Sequence, residues 1–382
     1  MTEKTGIVEF GAAMTRAAII IKDEVRRFWF GPAVGDEQLA TPCVGQKFGG
    51  RVTKIDKALK AAFIDVGSTK PAFLNLSQST GELHEGKPIA VEIKRAAVGE
   101  KGALVKLIED APTDIGPFEA VNVYREVCEF FEGAVNEIIV DQGAAATEIR
   151  QQLNVEIIHD NQNLFEKFGA EAALEEASNR EILLPGGGGG VVIDEAEALT
   201  AIDVDVRQAG GPSDAALNKR INLAAARAIG QALALRNIGG QIAVDFLPAP
   251  ESVRNELTSI LKKHAPEIQK AHWTKSGLFT FIRPRIEASL LERATERVPG
   301  DPFGARQFTL DWQAKTAISR MESALRASPT ANVEISAGEG LFAHFAKNAQ
   351  WRDRIVERYG ARLSFAKNDK LTERDFAIDQ QR

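Results

Sequence analysis

The feature that most constrains this chain is a pair of predicted strands that carry acidic residues and are joined by one long predicted helix. Side chains alternate between the two faces of a strand, so within residues 198–206 Asp203 and Asp205 point the same way. Within residues 241–246 the same alternation sends the apolar side chains to a core and turns Asp245 away from it. A carboxylate inside so apolar a run requires a partner.

The predicted helix determines how these two strands meet. Residues 215–235 carry apolar side chains at a spacing of three and four, and Asn237 with the pair Gly239 and Gly240 ends the helical pattern. A strand, a crossover helix and a second strand most simply form a parallel pair of neighbours. The sequence therefore predicts that the acidic residues of both strands lie near one edge of a single sheet.

Several carboxylates close together predict a magnesium site. Grouping carboxylates is costly unless a proton or a cation neutralises them, and hard oxygen ligands at this density suit Mg2+ or Mn2+. The alternative is structural, in which each aspartate caps a loop or pairs with a nearby arginine such as Arg207 or Arg236. Three carboxylates in one arrangement favour the metal site.

The sequence around these residues carries a family resemblance. The segments LFEKFGAEAALEEASNREILLPGGGGGVVIDEAEALTAIDVDVR and INLAAARAIGQALALRNIGGQIAVDF resemble the catalytic core of the ribonuclease E/G family. The resemblance implies that Asp203 and Asp245 are the catalytic residues and the two magnesium ligands. Asp205 is a departure, because the family usually has asparagine there, and we expect it to be an additional metal ligand.

The resemblance extends to GGRVTKIDKALKAAFIDVGSTKPAFLNLS and TKSGLFTFIRPRIEASL, and it implies a multidomain α/β (α+β) fold. The implied domains are a discontinuous ribonuclease-H-like scaffold (residues 1–44 and 111–178), an inserted OB-fold RNA-binding barrel (45–110), a DNase-I-like catalytic subdomain (179–298), and a linker with a small C-terminal α/β domain (299–382).

Residues 45–110 support the barrel by their pattern and charge. Short strands alternate with turns, and Lys and Arg outnumber Asp and Glu by 11 to 8 in an otherwise acidic chain. Phe63 and Phe73 have two interpretations: composition alone favours a core role, whereas the resemblance implies that they stack on RNA bases. The resemblance also implies an RNA contact for Lys101.

A second group of basic residues follows the acidic strands. Residues 274–285 are predicted to be a strand-like run that carries Lys275, Arg283 and Arg285. If the resemblance holds, these three side chains lie against the RNA backbone. The alternative is an ordinary solvated face.

Composition excludes several classes of protein. The chain has 382 residues and a formal net charge of -6, so nucleic acid is expected to bind a local patch rather than a generally basic surface. No apolar run approaches the length of a membrane span, and the N-terminus lacks the pattern of a signal peptide, which predicts a cytoplasmic protein without a membrane segment.

The two cysteines, Cys43 and Cys128, predict neither a disulfide framework nor a four-cysteine zinc site. Residues 299–306 stand where relatives carry paired cysteines that link subunits through zinc, so we expect no zinc, and a homodimer held by other contacts stays open. Longer relatives also carry a module that senses 5′-monophosphate RNA ends. Only a short connector occurs here, so we expect no such sensing.

These observations predict an Mg2+-dependent endoribonuclease that cleaves single-stranded RNA internally and leaves 3′-hydroxyl and 5′-phosphate ends, as the resemblance implies. The alternative is a non-catalytic RNA-binding protein that keeps the fold, which the missing modules and the Asp205 departure favour. A hydrolase of small phosphorylated molecules is a third interpretation, but the barrel has no evident purpose for a small substrate.

Overall fold

The structure is a computed structural model that describes residues 3–37, 44–68, 70–76, 83–97, 102–109, 114–119, 121–186, 188–207, 215–285, 287–301 and 305–381. Within these ranges the chain is a mixed α/β protein with ten helices and 22 strands in five sheets. This confirms the predicted α/β class.

The strands, in chain order, are β1 Lys4–Phe10, β2 Met14–Ile21, β3 Glu24–Pro32, β4 Lys47–Asp56, β5 Ala61–Asp65, β6 Ala72–Asn75, β7 Pro88–Arg95, β8 Leu104–Ile108, β9 Gly116–Pro117, β10 Glu137–Val140, β11 Glu156–His159, β12 Glu181–Leu183, β13 Gly189–Glu195, β14 Thr200–Val206, β15 Gly240–Asp245, β16 Gln269–Trp273, β17 Phe279–Arg283, β18 Thr295–Arg297, β19 Arg306–Phe308, β20 Asn332–Ala337, β21 Leu363–Lys367 and β22 Phe376–Gln381. The helices are α1 Val123–Phe131, α2 Gly143–Arg150, α3 Leu164–Lys167, α4 Ala170–Ala177, α5 Ala215–Leu235, α6 Glu251–His264, α7 Leu290–Ala294, α8 Leu310–Ala327, α9 Glu339–Lys347 and α10 Ala349–Tyr359.

The first sheet has the strand order β11-β10-β1-β2-β3. Strands β1 to β3 form an antiparallel meander, and β10 pairs in parallel with β1 and β11 in parallel with β10. Helices α1 and α2 cover one face, where Val127, Phe131 and Ile149 join the apolar side chains of β1 and β10 in a core. The first sheet is therefore built from two segments of the chain, one before and one after the barrel strands in the sequence.

The barrel consists of β4 to β8 in the order β5-β6-β8-β7-β4, and the pairing of β4 with β5 closes it. Each strand contributes small or branched apolar side chains to the interior, because every second residue points inward. The short strand β9 pairs with β4 on the way out of the barrel.

The site sheet, which carries the acidic strands, has the order β12-β13-β14-β15-β17-β16. Strands β14 and β15 are parallel neighbours joined through α5, as predicted. Helices α5 and α6 pack on one face of this sheet, where Ile202, Val204 and Val244 are buried. The opposite face, which we call the open face, carries the exposed side chains of β14 and β15.

One sequence-based boundary was wrong. Residues 274–285 do not form one strand-like run, because Thr274 and Gly277 make a turn between β16 and β17, with Gly277 at a φ of +99° that favours glycine. In the C-terminal part of the chain, Asn348 separates α9 from α10.

The C-terminal part of the chain, with α8, α9, α10 and the sheet β21-β20-β22, packs on the first sheet through a group of buried charges. We call Glu9, Asp141, Glu322, Arg326 and Arg358 the ion cluster. The Arg326 guanidinium lies 2.8 Å from the Asp141 carboxylate and 3.7 Å from that of Glu9, and Arg358 lies 3.2 Å from Glu322. Arg326 of α8 thus neutralises carboxylates at the ends of β1 and β10, and Arg358 of α10 neutralises Glu322 of α8.

None of the helices in the described part of the chain is long and apolar enough to cross a membrane. The domain boundaries given above stay a prediction.

Candidate active site

Three carboxylates stand together on the open face of the site sheet, and we call them the acidic site. Asp203 in β14 is the direct register partner of Asp245 in β15, and Asp205 lies two residues further along β14 on the same face. Alternation explains the arrangement, because Ile202 and Val204 take the buried face and turn the acidic residues outward. The structure brings together the three predicted site residues.

A buried amide fixes the chain beyond Asp245. Asn222 in α5 is fully buried, and its side chain donates to the Leu247 carbonyl oxygen at 2.9 Å and accepts from the Leu247 N–H at 3.0 Å. Both backbone groups two residues beyond Asp245 are therefore held by the crossover helix. The sequence analysis missed Asn222, whose only signal was a polar residue among the apolar positions of α5.

The described part of the chain places no cationic side chain against the acidic site. Within the described ranges, no lysine, arginine or histidine nitrogen lies within 4.0 Å of the three carboxylates. Partial burial, and then the neighbouring charges of Asp245 and Asp205, raise the pKa of the Asp203 carboxyl. The site therefore carries unbalanced negative charge that a bound cation would relieve.

The two arginines of the structural alternative have other partners. Arg207 forms a salt bridge with Glu181 at 2.7 Å, and the Arg236 guanidinium donates to the Asn179 carbonyl oxygen at 2.8 Å. Burial lowers the pKa of Arg236. Neither arginine neutralises the acidic site.

Gly190 brings a cationic side chain near the acidic site. It is the register partner of Asp205, and a Cβ at this position would lie 2.7 Å from the Arg207 Nε. The missing side chain thus lets Arg207 lie over the open face beside Asp205. Gly190 is the last residue of a run of five glycines in the sequence, and the sequence alone did not indicate this contact.

The donor set of the acidic site fits magnesium. Among the residues that the structure describes, no three His, Cys, Asp or Glu side chains gather closely enough to hold a metal by themselves. Mg2+ commonly keeps several waters and uses only one or two protein carboxylates. The in-register pair Asp203 and Asp245 therefore has the type and number of protein ligands that Mg2+ needs. Oxygen ligands alone also match its chemistry.

Phe63 and Phe73 lie outside the core of the barrel. They are register partners on β5 and β6, half-buried, with ring centroids 6.0 Å apart and an interplanar angle of 83°. Their neighbours Ile64 and Leu74 fill the barrel interior instead. The two rings therefore pack edge to face on the outer surface of the barrel and remain partly open to solvent.

The predicted basic contacts have different environments. Lys275 is exposed in the turn between β16 and β17, and Arg285 forms a salt bridge with Glu292. Arg283 is only 8% exposed and donates to the Ile238 carbonyl oxygen at 2.7 Å, so its guanidinium supports the sheet and is poorly available to RNA. Lys101 lies outside the described residues.

His272 is a further polar residue on the open face that the sequence analysis did not single out. It is exposed and is the register partner of Thr280, which is the partner of Ala243, two residues from Asp245. A lone histidine in a short strand gives no signal of this position.

Comparisons with known proteins match the segment that holds the acidic site. Residues 118–286 match the model of the ribonuclease E/G family. Ribonuclease E of Escherichia coli is 30% identical over 216 residues, which cover 52% of this chain and 20% of that protein.

Two relatives from Haemophilus influenzae extend the similarity. Its ribonuclease E is 22% identical over 387 residues, covering 70% of this chain and 41% of the relative. Its ribonuclease G is 22% identical over 371 residues, covering 67% of this chain and 75% of the relative. The chain spans less than half the length of both ribonucleases E. The family match and these similarities agree with the motifs around Asp203 and Asp245, and together they support membership of this chain in the ribonuclease E/G family.

Proposed function

We propose that this chain is an Mg2+-dependent endoribonuclease that cleaves single-stranded RNA internally and leaves 3′-hydroxyl and 5′-phosphate ends. The observation that carries the proposal is the in-register pair Asp203 and Asp245 on an open sheet face, without a protein cation among the described residues. Membership of a family whose relatives are named ribonucleases supports RNA as the substrate.

In the proposed mechanism Asp203 and Asp245 hold the metal ion, and Asp205 contributes directly or through a water. When bound, Mg2+ would supply positive charge beside the scissile phosphate and promote ionisation of a water nucleophile. Asn222 keeps the Asp245 segment in place, and Arg207, lying over Gly190, is near enough to the acidic site to meet a neighbouring phosphate.

The barrel supports an RNA substrate rather than a small molecule. Its strand order and closure support the assignment of an OB-fold, and we propose that Phe63 and Phe73 stack on unpaired bases. Lys101, Lys275 and Arg285 are proposed as backbone contacts.

We also propose an assignment of the remaining domains. We assign residues 1–44 and 111–178 to a ribonuclease-H-like scaffold, residues 179–298 to a DNase-I-like subdomain, and residues 299–382 to a linker and a small α/β domain. The order of the first sheet and the covering of one face of the site sheet by α5 and α6 support this assignment. We further propose a cytoplasmic enzyme that acts without 5′-monophosphate sensing and without zinc.

A second candidate is an RNA-binding protein without turnover. The observation that favours it is Asp205, which adds a third negative charge near Asp203 where the family usually has a neutral amide. The two candidates differ in their response to magnesium: the enzyme loses turnover without metal, whereas the binder keeps its affinity.

Cleavage of an AU-rich single-stranded RNA with a 5′-hydroxyl, in Mg2+ or in EDTA, tests the proposal. We expect internal cleavage by the wild type only with Mg2+, and RNA binding without cleavage by Asp203→Asn and Asp245→Asn. A wild type that binds RNA but never cuts, with Mg2+ or Mn2+ and with either 5′ end, would support the second candidate.

A further inference from the structure

The strand β16 contains a backbone irregularity immediately before His272. The pairing of β16 with β17 shifts register between Gln269 and His272, and Lys270 adopts a φ of +51°, in the left-handed region that non-glycine residues seldom occupy. Such a conformation costs free energy, and His272 is exposed, so core packing by its side chain does not compensate for that cost.

The irregularity orients the His272 imidazole. The Nδ1 atom lies 3.2 Å from the Lys270 carbonyl oxygen, and because a carbonyl only accepts, this contact is a hydrogen bond in the tautomer that has its proton on Nδ1. In that tautomer Nε2 is an acceptor. The Thr280 hydroxyl lies 3.2 Å from Nε2 and 3.3 Å from Nδ1, so it is a second polar group beside both ring nitrogens.

His272 and Thr280 stand in one row of the open face with Ala243 and Ala201, next to the row that holds Asp203 and Asp245. Strand spacing and rise put the Cα atoms of His272 and Asp245 about 12 Å apart. Thr280 stands between His272 and Ala243 in this row, and the short side chain of Ala243 leaves room above the sheet beside Asp245. One strand of RNA can therefore reach the acidic site and the histidine together.

We propose that His272, oriented by Lys270 and assisted by Thr280, accepts a hydrogen bond from the ribose 2′-hydroxyl of a nucleotide beside the scissile phosphate. The pair thereby favours RNA over DNA, because only the 2′-hydroxyl distinguishes the two at such a site. This inference rests on the proposed function for the position of the RNA, and it adds a specificity determinant that acts separately from metal binding.

The test uses a set of single-stranded RNA substrates in which one nucleotide at a time is 2′-deoxy, scanned across the cleavage site. In the wild type we expect kcat/KM to fall roughly three- to tenfold at one position, which is the loss of one hydrogen bond. In His272→Ala the all-RNA substrate should lose a similar factor, and the deoxy substitution at that position should cost nothing more.

Two variants separate this role from a structural one. His272→Gln places an amide oxygen near the position of Nε2 and should restore part of the sensitivity to the deoxy position. Lys262→Ala, exposed on α6, should match the wild type at every position. Equal sensitivity of wild type and His272→Ala, or no sensitive position in the wild type, overturns the inference.

The same scan is read as RNA affinity in EDTA, which separates this inference from the proposed function. A wild type that binds without cutting, yet loses affinity at one deoxy position only when His272 is present, refutes the enzyme and supports the 2′-hydroxyl contact. A wild type that cuts but shows no His272-dependent position supports the enzyme and refutes the contact.

Discussion

The ion cluster and the acidic site both gather carboxylates at sheets, but in opposite environments. In the ion cluster, Asp141 and Glu322 are buried and paired with arginines from α8 and α10. In the acidic site, Asp203 and Asp245 are exposed and have no cationic partner among the described residues. The protein's own arginines thus neutralise the carboxylates of the ion cluster, whereas no described side chain neutralises those of the acidic site.

Whether a group of carboxylates has an arginine partner is a better guide to its role, in stability or in function, than the presence of carboxylates alone. A buried carboxylate without a cation would be too costly to keep, so its arginine belongs to the fold. An exposed group of carboxylates tolerates its charge in water, and we propose that the acidic site binds a cation from solution. The following predictions test this division, from the largest expected effect to the smallest.

Arg326→Met should remove one of the two arginines of the ion cluster and leave Asp141 buried without its cationic partner, while Glu9 keeps its salt bridge with Arg16. We expect the free energy of unfolding to fall by about 3–5 kcal/mol, measured by urea denaturation. Arg320→Met, on the same helix but in an exposed pair with Glu175, should cost about 1 kcal/mol or less. Equal losses in the two variants would contradict a structural role for the cluster.

Asp203→Asn should abolish most cleavage while leaving the fold intact. We expect the rate to fall by about a hundredfold or more, because a group that stabilises charge in the transition state is weakened. Asp194→Asn is the matched control, since Asp194 lies on the same open face but is paired with Arg180 at 2.7 Å. Comparable losses of rate in both variants would argue against a site confined to the unpaired carboxylates.

Phe63→Ala and Phe73→Ala should weaken RNA binding more than they weaken folding. Each stacked base contributes about 1–3 kcal/mol, so fluorescence anisotropy should show a clear loss of affinity for single-stranded RNA. Leu74→Ala, in the barrel interior, should instead lower the free energy of unfolding by about 2–5 kcal/mol. Unchanged affinity in both phenylalanine variants would remove the barrel from the proposed RNA path.

The metal-free stability should depend on pH through Asp203. Burial and the neighbouring carboxylates raise the pKa of this carboxyl, so its contribution to stability is present at low pH and is lost as the pH rises through the raised pKa. Asp203→Asn should therefore gain stability over the wild type near pH 8 and lose that gain near pH 3, by roughly 0.5 kcal/mol or less after solvent screening.

Thermal unfolding in EDTA measures this gain, and Mg2+ should reverse it by stabilising the wild type alone. A gain that grows toward low pH would have the wrong sign for this carboxyl.

Local periodicity in the sequence predicted much of the site sheet. The alternation of β14 and the crossover helix α5 were enough to predict that Asp203 and Asp205 share a face and that β15 lies alongside in parallel. These features depend on neighbours in sequence, which is the information that a single chain provides.

The features that were not predicted depend on distant partners or on backbone detail. Arg326 and Asp141 are 185 residues apart in sequence, so no local pattern announces their pairing. The basic residues after β15 looked alike, yet Arg283 is buried against Ile238 and Lys275 is exposed. The orientation of His272 depends on the left-handed backbone of Lys270.

The position of β9 bears on how the barrel can change during evolution. This strand pairs with the first residues of β4, Phe48 with Pro117 and Gly49 with Gly116, so the points where the chain passes into and out of the barrel lie side by side. A segment whose two ends meet can be exchanged or enlarged with little strain on the parts that it interrupts. The surface proposed to hold RNA can thus diversify while the sheet that carries the carboxylates stays the same.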